Sequence, residues 1–321
     1  MPKRALTAVA ALAVSILLPA MAAAQAAAPA AAPPDIVKET RAAIATGDFA
    51  AADQVVRGFM AAHGNTPLAL EALSWMGRGL LAAGRLDEAL KYAYETERLS
   101  LEVADTRPLD EEPHLPIALG AAIEVQAQAL AKQGDLGTAV RVLERNLDAF
   151  KDTSIVARLN KNLNLLTIEG KPAPAWPVAE YIGTVPPTLD SLKGKAIVLF
   201  LWAHWCPDCK QTAPDLAAIE RKYAADGLVV VGLTQRYGYV AGREPADAAT
   251  EMKYIGEVRA EHFGDVRMSV PVSAEAFTRY GTSTTPTIVL IDREGIVRLY
   301  HPGRMTADEL EPRVRELLEG S

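Results

Sequence analysis

The chain has 321 residues, half of them apolar, and a formal net charge of −7. That length favours two domains over one, with apolar residues enough for a sizeable core. The acidic balance and the lack of any basic block argue against nucleic acid as a partner.

At the N-terminus, Lys3 and Arg4 precede an apolar stretch, Ala5 to Leu18, too short to span a bilayer comfortably. Ala22-Ala23-Ala24 follows as a small-residue cleavage site. Residues 1–24 therefore read as a secretory signal peptide, cleaved near Ala24 or retained as an N-terminal anchor. Export to the periplasm, or another extracytoplasmic space, would place the chain where disulfides persist. Residues 25–34 are an Ala/Pro-rich linker that carries no fold.

Residues 35–168 read as an α-helical domain. Alanine and leucine dominate, and Gly and Pro fall between segments. Gly47-Asp48-Phe49 leads to Ala52, Gly84-Arg85-Leu86 to Ala89, and Gly134-Asp135-Leu136 to Ala139. In each case a glycine ends one helix and a small alanine lets the next pack closely. The pattern resembles a degenerate tetratricopeptide array of three helical pairs, with residues 105–116 as an insertion. A plain helical bundle is the alternative. Helical arrays present concave surfaces, so a peptide or protein ligand is expected on this domain.

Gly170, Pro172, Pro174, Pro177, Pro186 and Pro187 mark an extended lead-in to a second domain, residues 169–321. Ile197 to Leu201 is a buried strand. It runs through Trp202-Ala203-His204-Trp205 into Cys206 and Cys209, the only two cysteines of the chain. Pro207 suits the first position of a helix. The partial positive charge and free N–H groups of that helix start favour a thiolate at Cys206. Cysteines three apart at a helix start can close a disulfide. The pair can thus cycle between dithiol and disulfide. A structural staple gains little from so short a loop. His204, Cys206 and Cys209 could also supply three ligands to zinc or copper. An exposed loop position is the expectation for His204.

Beyond the cysteines, Lys210 to Ala225 reads as a helix interrupted by Pro214, where a proline should kink it. Residues 228–233 form a strand and 247–262 a helix. Residues 269–273 form a short strand, and 274–280 a helix closed by Gly281. A strand over 287–292 turns through Asp292-Arg293-Glu294-Gly295 into a strand over 296–300. Thr306 and Glu309 form a capping box on the last helix. That order implies a mixed sheet with helices on both faces.

Trp205-Cys206-Pro207-Asp208-Cys209, Leu192-Lys193-Gly194-Lys195 before the strand, Thr285-Pro286-Thr287 before the apolar strand, and an insertion over about 235–265 together resemble the TlpA/ResA-like group of thiol-disulfide oxidoreductases. The resemblance implies an α/β thioredoxin-like fold, here preceded by an all-α helical-repeat domain. It implies a cis Thr285-Pro286 bond beside a redox-active Cys206–Cys209 disulfide. It also implies protein-disulfide reductase activity without a cofactor, on a disulfide-containing protein substrate, fed by a membrane thiol-reducing donor protein. Cys206 would attack and Cys209 would resolve. Trp205 and Pro207 would support them, and Thr285 and Pro286 would position the substrate. Asp208 would oppose the Cys206 thiolate and favour a reductant.

Two positions depart from the pattern. Phe200 stands where thioredoxins carry a buried acid, and Thr212 where the ResA branch carries a glutamate. No proton acceptor for Cys209 is therefore identified. Leu199 and Ala203 break the peroxiredoxin motif, and Lys210 breaks the haem-attachment motif. A non-enzymatic scaffold remains the rival reading.

Overall fold

A computed structural model describes residues 35–320. The expected signal peptide and Ala/Pro linker lie outside those residues. Seven helices come first: α1 (Ile36–Ala45), α2 (Phe49–His63), α3 (Pro67–Ala82), α4 (Leu86–Ala104), α5 (Leu115–Lys132), α6 (Leu136–Ala149) and α7 (Val156–Thr167). The repeated glycine motif explains three of their junctions. Gly47, Gly84 and Gly134 adopt φ of 78°, 73° and 88°, which turns the chain between α1 and α2, α3 and α4, and α5 and α6. Asp48 and Asp135 then cap the second helix of their pairs through the N–H groups of Ala51 and Thr138. Ala52, Ala89 and Ala139 are completely buried, as close helix packing requires.

The rest of the chain builds six strands and four helices. They are β1 (Tyr181–Ile182), β2 (Ala196–Leu201), α8 (Pro207–Tyr223), β3 (Leu228–Leu233), α9 (Ala248–Phe263), β4 (Met268–Pro271), α10 (Ala274–Arg279), β5 (Thr287–Ile291), β6 (Val297–Pro302) and α11 (Ala307–Glu319). The sheet order is β1-β4-β3-β2-β5-β6. β2 lies parallel to β3 and antiparallel to β5. All six β2 residues are buried, because both faces of the sheet are covered. Ala196, Val198 and Phe200 face a core with Leu216 of α8, Ile255 of α9 and Leu310 of α11. Ile197, Leu199 and Leu201 face a second core with Trp176, Phe277 and Tyr280. The alternation follows from the two-residue period of a strand.

Two local expectations change. α8 is continuous through Pro214. Pro214 is exposed, so the carbonyl it leaves without a partner lies on the solvent side, where water can serve it. The lead-in segment also contributes β1, paired antiparallel with β4 at Tyr181–Pro271 and Ile182–Val270. A two-residue strand has no periodicity to read. The Thr306–Glu309 capping box forms as expected. Among the described residues no helix is long and apolar enough to cross a membrane.

The helical part meets the sheet part at α7. Gly281 sits so close to it that an added Cβ would lie 2.2 Å from the Lys161 nitrogen. Asn164 of α7 donates to the Arg279 carbonyl at 3.1 Å. Gly281 also has φ of 65°. Gly281→Ala should therefore destabilise the protein by about 2–4 kcal/mol, combining left-handed backbone strain with a clash against main chain that cannot rotate away. Urea unfolding followed by circular dichroism measures this. A change below about 0.5 kcal/mol, the range of an inert surface substitution, would contradict the close approach.

Candidate active site

The end of β2 is pinned before the cysteines begin. Trp202 is fully buried, and its indole N–H donates to the Gly232 carbonyl at 3.0 Å. The Thr234 hydroxyl donates to the Trp202 carbonyl at 2.7 Å. The chain then turns, with the Cys206 N–H donating to the Ala203 carbonyl, and α8 starts at Pro207. Cys206 is the N-cap of that helix, and its sulfur accepts the Cys209 N–H at 3.1 Å. Pro207 at the first helical position has no N–H to leave unpaired.

Cys206 and Cys209 are joined as a disulfide with Cα atoms 5.3 Å apart. Cys209 is completely buried and Cys206 is 2% exposed, so Cys209 is the deeper of the two and only a sliver of Cys206 faces solvent. The Cys206 sulfur lies 3.4 Å from the Thr285 carbonyl oxygen. Thr285-Pro286 is cis. Thr285 is half-buried and Pro286 buried. Trp205, 45% exposed, forms the rim and meets Tyr237 edge-on with ring centres 5.5 Å apart. Asp208 is exposed in the first turn of α8. All the residues singled out from the sequence thus gather at the junction of β2, α8 and the segment before β5.

His204 is the exception. The sequence suggests an exposed loop histidine, whereas the side chain is 1% exposed. Its Nε2 lies 3.2 Å from Glu251 Oε1. Tyr237, Tyr239 and Tyr254 surround the ring edge-on, with centres 5.3 to 5.5 Å away. Glu251, also 1% exposed, accepts the Tyr237 and Gly238 N–H groups as well. A carboxylate accepts only, so Nε2 carries the shared proton and Nδ1 is the bare acceptor of the neutral ring. Burial depresses the basicity of His204, against the pull of Glu251. The imidazole is engaged by Glu251 and both sulfurs are bonded to each other.

Glu251 was not visible as a site residue, because 47 residues separate it from His204. One signal was present. Glu251 falls on the buried stripe of α9 with Ile255 and Val258, where a carboxylate needs partners. The two departures stay apolar or neutral. Phe200 packs at 6.0 Å from Phe263, and the Thr212 hydroxyl donates to the Asp208 carbonyl at 2.8 Å.

Residues 191–318 match the thioredoxin-like domain family. The chain is 26% identical over 148 residues to the thioredoxin-like protein YneN of Bacillus subtilis, covering 46% of this chain and 78% of that one. It is 25% identical over 150 residues to the thiol-disulfide oxidoreductase ResA of Bacillus cereus, again covering 46% and 78%. A solved structure, a putative thiol:disulfide interchange protein DsbE from Chlorobium tepidum, is 27% identical over 47% of this chain and 97% of its own, with a TM-score of 0.36. The C-terminal part is accordingly a thioredoxin-like α/β domain, and the N-terminal part is helical.

Proposed function

We propose that this thioredoxin-like domain, residues 191–318, works as a thiol-disulfide oxidoreductase that reduces disulfides in exported proteins. The observation that supports this most is the Cys206 sulfur at the N-cap of α8, hydrogen-bonded to the Cys209 N–H and bonded to the deeper Cys209 sulfur.

In the reduced protein, the Cys206 thiolate attacks one sulfur of a substrate disulfide. That disulfide breaks, and the departing sulfur takes a proton from solvent. A mixed disulfide joins Cys206 to the substrate. Cys209 then loses its proton and attacks the Cys206 sulfur. The substrate leaves as a dithiol, and the Cys206–Cys209 disulfide forms. Two electrons pass to the substrate, and a donor dithiol must return them. Trp205 supplies an apolar docking face, and Thr285 and Pro286 line the approach to Cys206. The signal-like segment before Gln25 supports a location outside the cytoplasm, where a membrane thiol-reducing protein would be the donor. The helical pairs of residues 35–168, read as a tetratricopeptide-like domain, would hold a protein or peptide ligand.

The reductase direction rests on Asp208. Its charge competes with the thiolate for the same helix start, which makes the dithiol form less stable and the protein more reducing.

Reduction of insulin disulfides should proceed with the wild-type protein and be abolished in Cys206→Ser. Cys209→Ser should instead accumulate mixed disulfides, whose attached proteins identify the substrate. Equal insulin turnover by Cys206→Ser and wild type would leave only the scaffold reading. In glutathione titration, Asp208→Asn should raise the reduction potential by about 10–20 mV, the scale of one exposed charge. An unchanged or lower potential would remove Asp208 from this role.

A further inference from the structure

A cavity of about 350 Å³ opens beside the cysteine pair, walled by His204 and Trp205 before Cys206, Lys210 after Cys209, and Tyr239, Arg243 and Tyr254 from the insertion between β3 and β4. Its chemistry is uneven. The rings of Trp205, Tyr239 and Tyr254 give apolar walls. Two cations, Lys210 and Arg243, line it, and among the described residues neither has a carboxylate partner. No Asp or Glu is among its lining residues. Behind the wall, Glu251 is occupied by His204 and two backbone N–H groups. His204 Nδ1 is buried and has no hydrogen-bond partner among the described residues. Arg243 is also the one non-glycine residue with positive φ, 63°, among the described residues. Its backbone is thus held in a conformation that costs a side-chain-bearing residue energy.

Resting on the oxidoreductase reading above, we infer that this cavity is a specificity subsite for an acidic residue flanking the substrate cysteine. The carboxylate meets Arg243 and Lys210, and its methylene stem lies on the aromatic walls. An inorganic anion would satisfy the cations but leave the rings without function. A basic residue would meet two like charges. A polypeptide carboxylate fits both the cations and the rings.

The test uses the reduced full chain and three cysteine peptides carrying a 2-pyridyl disulfide, alike except for Glu, Gln or Lys beside the cysteine. The Cys206 thiolate attacks the peptide sulfur, the S–S bond to pyridine breaks, and 2-thiopyridone leaves and is read by absorbance. The Glu peptide should react about tenfold faster than the Gln peptide, the scale of one charge-assisted hydrogen bond, and the Lys peptide slowest. Arg243→Gly, which suits the backbone conformation at this position, should bring the Glu/Gln ratio close to one, and Arg243→Lys should keep most of it. Equal rates for the three peptides in wild type, or a Glu preference that survives Arg243→Gly, would overturn the subsite while leaving the oxidoreductase reading intact. Failure of Cys206 to react with any of them would overturn both.

Discussion

The site depends on a sulfur atom taking the place that Ser, Thr or Asp usually takes at a helix start. The Cys206 sulfur accepts the Cys209 N–H at 3.1 Å, satisfying one of the N–H groups that a helix leaves free. When that sulfur is a thiolate the bond becomes charge-assisted, and such bonds contribute about 1.5–3 kcal/mol. Asp208 acts against it from an exposed position, where a single charge contributes less than about 1 kcal/mol. The helix start therefore outweighs Asp208, and Asp208 tunes a balance it does not decide.

Everything behind the sulfur serves to hold it. β2 is buried on both faces, so its end cannot shift without disturbing two cores. The Trp202 indole and the Thr234 hydroxyl tie the strand end to β3. The same rigidity reaches the helical part, since α7 rests on Gly281, a few residues before Thr285 and Pro286. The element carrying the Thr285 carbonyl is thus fixed from two sides, by the sheet through β5 and by the helices through α7. The insertion between β3 and β4 adds the remaining wall. Its helix α9 brings Glu251 under His204, and its loop brings Tyr239 and Arg243 beside Trp205.

The parts readable in the sequence are those whose causes are local. The apolar run at Ile197–Leu201, Pro207 at a helix start, and Thr306 with Glu309 each announce an element within a few residues. The Gly-Asp-x spacing at Gly47 and Gly134 does the same for two helix junctions. His204 could not be read that way. A histidine in the turn between Trp202 and Trp205 looks exposed until Glu251 and three tyrosines, all from another segment, close over it. Pro214 misleads for a related reason. Its local rule foresees an interruption, yet the helix runs on, because the affected carbonyl lies where water can take the place of the lost N–H.

The most direct measurement is alkylation of the fully reduced protein at pH 7, with the modified cysteine located by mass spectrometry over time. A sulfur held at a helix N-cap should react first, about tenfold faster than an ordinary cysteine thiol, with Cys209 protected until the protein unfolds. If Cys209 were modified first, or both at the rate of an unstructured thiol, Cys206 would not be the poised nucleophile and the account would fail at its centre.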